Sequence, residues 1–259
     1  MCLILFSYNP GQPNPLIVAA NRDEFYARPA AAAHYWKDAP HVFAGRDETA
    51  GGTWLGVTRS GRFAALTNFS AGDPVRDYPA SRGELVAEFL RGDASAEAYL
   101  SSVQRDRYAG FNLLLYDGTE LHCANNKGHP DQRLEAGCHG LSNAELTAPW
   151  PKTVDGAQAL AALQPESATT AEVLGVLGDA TPPPDERLPD NPHLVNADLA
   201  YRRRLAAKFI AGDEYGTRAM TVVRIGTDMI DVFEQQVGPG GHYGSAVSAR
   251  IRRDDPPRT

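Results

Sequence analysis

At 259 residues, with 42% apolar and 22% charged side chains, the chain can bury a sizeable core and has a globular composition. Its net charge of -7 argues against a nucleic-acid partner, which calls for a basic face. Three cysteines are too few for a disulfide framework, Leu3–Phe6 is too short for a secretory signal, and no run reaches the roughly 18 apolar residues of a membrane span, so a cytoplasmic protein without a span is predicted.

Cys2–Tyr8, rich in large apolar residues, predicts a buried strand, and Asn9–Pro15 a turn. Pro15–Ala20 predicts a second strand that ends at Asn21-Arg22-Asp23-Glu24. A hairpin of these two strands sets that cluster beside residue 2. Val42–Gly45 reads as a short strand. The runs Gly51–Val57 and Phe63–Asn68 read as two more around a Ser-Gly turn, followed by a polar loop over residues 69–79. Ser81 with Glu84 predicts a capping box opening a helix to about Leu90, and Ser95–Arg105 a second helix. Phe111–Tyr116 and Glu120–Ala124 flank Asp117-Gly118, a hairpin signal, and Cys138–Asn143 reads as a further strand. Helical spacing follows over Val154–Gly178, broken near Pro165, then a proline-rich loop over Thr181–Asn191 and an amphipathic helix over Asn196–Ile210. Thr217–Ile225 and Met229–Phe233 predict a final hairpin. Blocks of strands and helices in this order predict an α+β fold with antiparallel sheets, as a single domain over residues 1–259.

Cys2 carries two readings. Removal of Met1 would place a thiol and a free α-amine on one residue, and an amine titrating near pH ~8 can take the thiol proton. Without a base or a positive field it is a small core thiol. Asn21–Glu24 supplies such neighbours or forms a solvated turn. Thr67-Asn68 and Ser142-Asn143 each end an apolar run; their amides suit an oxyanion hole or a strand-end turn. His122-Cys123 and Cys138-His139 point to opposite faces of a strand, so no metal site is expected. Arg202-Arg203-Arg204 reads as a solvated helix face or an anion contact. The phosphate-loop, dinucleotide and serine-elbow patterns are absent.

Met1-Cys2, Asn21-Arg22-Asp23-Glu24-Phe25, Gly51-Gly52-Thr53-Trp54-Leu55-Gly56, Leu66-Thr67-Asn68, Arg82-Gly83-Glu84-Leu85, Gly140-Leu141-Ser142-Asn143 and Tyr215-Gly216-Thr217-Arg218 together resemble the NRDE family, the homologues of Transport and Golgi organization protein 2. The resemblance implies an αββα N-terminal-nucleophile hydrolase-like fold with two stacked antiparallel sheets. It also implies a distant likeness to the bile-salt hydrolase and penicillin V acylase group. On that likeness Cys2 is the nucleophile, Asp23 holds its amine, Asn68 and Asn143 serve the oxyanion and Arg218 stands near the thiolate. Asn21, Arg22, Glu24, Trp54 and Thr67 are expected to contact the substrate. Those hydrolases carry an arginine two residues before the Asn of their Asn-x-Asp motif, a slot that falls in Ala19-Ala20 here. The implied roles are a cysteine amidohydrolase of small acylated substrates, which requires no cofactor, or a carrier of haem, acyl-CoA or lipid.

Overall fold

The computed structural model describes residues 1–69, 77–189 and 196–254. Most of the 69–79 loop and the last two residues of the Thr181–Asn191 loop lie outside these. Among the described residues, thirteen strands fall into two antiparallel sheets. The first contains β1 (Leu3–Tyr8), β2 (Leu16–Phe25), β10 (Gly137–Leu141), β11 (Tyr215–Ile225), β12 (Met229–Val237) and β13 (Tyr243–Arg252), in the order β10-β1-β2-β11-β12-β13. The second runs in chain order through β3 (Ala30–Trp36), β4 (Ala39–Asp47), β5 (Leu55–Thr58), β6 (Phe63–Asn68), β7 (Phe111–Tyr116), β8 (Leu121–Asn125) and β9 (Gln132–Arg133). Five α-helices accompany them: α1 (Arg82–Arg91), α2 (Ala96–Ser102), α3 (Pro151–Ala162), α4 (Thr170–Leu177) and α5 (Leu199–Ala206).

Strand alternation sorts the side chains into layers. On β1 and β2, Ile4, Phe6, Leu16 and Val18 meet Leu55, Val57, Phe63 and Leu114 of the other sheet. Leu3, Leu5 and Ala19 face the opposite way, onto Leu160 of α3 and Val173 and Leu177 of α4. The outer face of the second sheet buries Leu85, Val86, Phe89 and Leu90 of α1 and Leu100 of α2. Each fully buried leucine contributes roughly 1.5–3 kcal/mol. The result is helix, sheet, sheet, helix: the αββα arrangement.

Several expected elements differ in detail. The strand expected at Val42–Gly45 extends over Ala39–Asp47 and pairs with β3, and β13 forms the sheet edge beyond the expected final hairpin. The second helix stops at Ser102, the third strand-end segment at Leu141, and the last helix covers Leu199–Ala206. Ser81 is the N-cap of α1, but its side chain accepts no capping bond, and Glu84 accepts from Tyr108 Oη at 3.2 Å. The reciprocal capping box belongs to α4, between Thr169 and Glu172. Among the described residues no helix is long and apolar enough to cross a membrane.

The start of α1 is pinned against the loop before β5. Thr53 N–H donates to Gly83 C=O at 3.1 Å, and a Cβ on Gly52 would stand 2.4 Å from the Gly83 carbonyl carbon. Gly52→Ala therefore forces backbone apart and is expected to cost about 1–3 kcal/mol in urea unfolding. Gly11→Ala, where the new methyl meets nothing within 4 Å, is the control and stays within about 0.5 kcal/mol.

Candidate active site

Cys2 directly precedes β1, the strand clasped between β10 and β2. Its thiol contacts one backbone unit of β2: Asp23 N–H donates to Sγ at 3.4 Å, and Sγ lies 3.7 Å from Asp23 C=O. Ser142 Oγ donates to Cys2 C=O at 2.7 Å. Met1 is held on both of its polar ends. Its amine donates to Tyr215 Oη and lies 4.0 Å from Asp23 Oδ2, while its carbonyl accepts from Lys152 Nζ at 2.8 Å.

The Asn21–Glu24 cluster divides by strand parity. Asn21 and Asp23 share the helix-facing side of β2. Asn21 is fully buried and donates to the carbonyls of Leu177 at 2.9 Å and Lys208 at 2.8 Å, so it ties the sheet to its helical layer and does not line the cleft. Asp23 Oδ1 accepts from Thr217 Oγ1 at 2.7 Å, and Oδ2 has no hydrogen bond among the described residues. Arg22 and Glu24 share the other face, toward the second sheet, and line an open cleft.

A β-bulge on β11 shapes the same cleft. Thr217 pairs with Asp23 and Ala219 with Arg22, which leaves Arg218 as the extra residue. Downstream of it Val223 and Ile225 face the second sheet and Met220 and Val222 the helices. The shift of one residue lets Thr217 turn to Asp23 while Arg218 and Ala219 both border the cleft. Arg218 Nη1 donates to Phe25 C=O at 3.3 Å and to Arg28 C=O.

Across the cleft stand Trp54 and Asn68, with Arg82 and Gly83 from the start of α1. Asn68 makes no side-chain hydrogen bond among the described residues, so its amide is available to a ligand. Thr67 and Asn143 are buried behind this wall. Thr67 Oγ1 donates to Ser142 C=O, and Asn143 Nδ2 donates to Asn68 C=O at 2.7 Å. Asn112 Nδ2 reaches the carbonyls of Ser142 at 3.0 Å and Ala144 at 2.8 Å. Thr67 and Asn143 thus hold backbone here and do not line the cleft.

Burial dominates the electrostatics. It pushes the Cys2 thiol and the Asp23 carboxyl up and the Met1 amine and the Lys152 ammonium down, with the opposite charges nearby countering each shift. Four ionisable groups thereby lie close together, each displaced by burial toward its neutral form.

The structure brings Cys2, Arg22, Asp23, Glu24, Trp54, Asn68 and Arg218 to the cleft and places Asn21, Thr67 and Asn143 behind it. Lys152, Tyr215, Thr217, Ser142 and Asn112 had no assigned role in the sequence reading. Tyr215 and Thr217 lay within the Tyr-Gly-Thr-Arg string, a usable signal; nothing local marks Lys152. Among the described residues no three His, Cys, Asp or Glu side chains gather as metal ligands. His122 contacts Glu120, Cys123 is buried between the sheets, and His139 stacks on Phe6. Arg203 pairs with Asp185 on the surface.

Two antiparallel sheets between helical layers, with Cys2 at the head of a central strand, define a protein with the N-terminal-nucleophile hydrolase-like fold. The nematode Caenorhabditis elegans N-acylethanolamine-hydrolyzing acid amidase ortholog superposes with a TM-score of 0.50 at 10% identity, over 85% of this chain and 92% of that one, a likeness of fold alone. The family model of Transport and Golgi organisation 2 matches residues 1–238, and the chain belongs to that family. Its relatives include the Transport and Golgi organization protein 2 homologs of Bos taurus, 37% identical, and Homo sapiens, 36% identical, each aligned over 88% of this chain and 90% of the relative.

Thr217→Val tests the support of Asp23. Thr217 Oγ1 donates to Asp23 and accepts from Ile210 N–H at 2.9 Å, and each partner left unsatisfied costs about 1–3 kcal/mol. Because the folded carboxyl lies above its ordinary 3.8, its contribution is present at low pH and is lost as pH rises through the folded pKa. Removing the donor raises that pKa further, so urea titrations should show a larger deficit at about pH 7 than at about pH 4.

Proposed function

We propose that this chain is a cysteine-nucleophile amide hydrolase of small acylated substrates, activated by removal of Met1. The observation that supports this reading is Asp23: its Oδ2 lies 4.0 Å from the amine of Met1, and its backbone N–H donates to the Cys2 thiol. With Met1 gone, the amine belongs to Cys2 and Asp23 orients it. The amine takes the thiol proton, the thiolate attacks the amide carbonyl, and Asn68 donates to the oxyanion. The protonated amine returns its proton to the leaving nitrogen as the C–N bond breaks. Water then hydrolyses the thioester and restores the thiol. Lys152, freed from the Met1 carbonyl, stays beside amine and thiol, where its protonated form favours the thiolate.

While Met1 is attached the Cys2 nitrogen is a peptide nitrogen, and burial holds the thiol above its ordinary 9.0. Two measurements follow. Intact mass of the protein isolated from cells is expected to lack Met1; full retention overturns the mechanism and leaves a carrier of haem or acyl-CoA. On matched samples with and without Met1, iodoacetamide should alkylate Cys2 faster at pH 7 once Met1 is gone, and Cys2→Ala should abolish amidase turnover.

A further inference from the structure

The cleft holds more positive charge than its own carboxylates neutralise. Arg22 is half-buried, and among the described residues its guanidinium makes no hydrogen bond and no ion pair within 4.0 Å. Arg218 is half-buried beside it and spends its recorded bonds on two backbone carbonyls. The two are close enough that Arg22 helps depress the pKa of Arg218, behind the effect of burial.

Glu234 and Glu24 are near enough to act on this charge, but neither pairs with it directly. Glu24 Oε1 accepts from Phe25 N–H at 2.9 Å. Glu234 accepts from Ala33 N–H at 2.8 Å, Gln236 Nε2 at 2.7 Å and Thr221 Oγ1 at 3.5 Å, all neutral donors. Neither lies within 4.0 Å of an Arg22 or Arg218 nitrogen among the described residues. Two other arginines of the cleft differ: Arg28 pairs with Asp47 at 2.8 Å and Arg46 with Asp38 at 2.9 Å. A chain of net charge -7 has ample acid to pair Arg22, yet the fold leaves it facing the cleft.

We infer that Arg22 and Arg218 form the seat of an anionic group, a carboxylate or a phosphate, carried by the ligand that enters the cleft. A planar guanidinium with five donors matches either oxyanion in a two-point bond, and half-burial limits screening by salt. Trp54 and Leu66 on the opposite side offer apolar surface, so the fitting ligand is amphipathic, with its charged end at the arginines. This rests on the proposed function only in using the same cleft; it needs no bond cleavage.

The test therefore uses probes without an amide bond. Nonanoate, octyl phosphate and neutral nonanamide are titrated against the full chain by calorimetry. At least one anion is expected to bind about tenfold tighter than nonanamide, and the tighter of the two identifies the head group. Arg22→Gln, which has no internal bond to lose, should remove about tenfold of that preference and leave nonanamide binding unchanged. Arg218→Lys, which keeps the charge and loses the planar fork, should weaken the anion less than Arg22→Gln does. Equal affinity for all three probes, no saturable binding of either anion, or an anion preference intact in Arg22→Gln would overturn the inference. None of these outcomes touches the amidase assay, so the two readings fail separately.

Discussion

The site depends on a polar knot at Ser142–Ala144 that fixes one sheet against the other. Cys2 leads into the first sheet and Asn68 ends a strand of the second, so no backbone ladder sets their distance. Ser142 does so with both ends: its hydroxyl reaches Cys2 C=O, and its carbonyl accepts from Thr67 and Asn112. Asn143 adds a bond to the Asn68 backbone and accepts from Ser142 Oγ at 3.0 Å. In a buried setting each such bond is worth more than at the surface, because the broken alternative is an unsatisfied polar group. Of the asparagines and hydroxyls that resemble catalytic residues by position, Thr67 and Asn143 serve in this chain to hold the backbone around the cleft.

Around that knot the charges are organised by scarcity of water. Asp23, Lys152 and the α-amine would each be costly to bury alone; together they offset one another. The fold does not complete the set, since Asp23 Oδ2 lacks a hydrogen bond and Lys152 donates to a carbonyl of the residue whose removal we propose. A buried array left incomplete in this way is suited to accepting a new charge and poor as a source of stability.

Much of this is legible in the sequence because β1, β2, β6 and β7 carry near-continuous apolar runs, as strands buried on both faces do, and the Asn21–Glu24 string marks the end of one of those runs. What was hidden has physical reasons. β3 opens with Ala30–Ala33, residues of low strand propensity, and β13 is largely exposed, so neither shows the alternation of a half-buried strand. Ser81 and Thr169 present the same capping pattern, and only tertiary surroundings decide that Glu84 turns to Tyr108 while Glu172 closes the box. The division of Asn21–Glu24 into a helix-tying residue, a carboxylate for the amine and a cleft-facing arginine follows from parity once the strand is known to run through Phe25. Lys152 reaches Met1 across 151 positions, and no local pattern could announce it.

The bulge at Arg218 also insulates the site from the core. Because the side-chain phase of β11 is reset there, Tyr215–Thr217 and Ala219–Ile225 answer to different steric demands although they belong to one strand. The inner segment must keep its alternation to fill two apolar layers. The outer segment answers to the site instead: Gly216 leaves no room for a Cβ beside Ile210 C=O, and Thr217 holds Asp23. One unpaired residue thus divides β11 into a part that fills the apolar layers and a part fitted to the polar groups around Cys2.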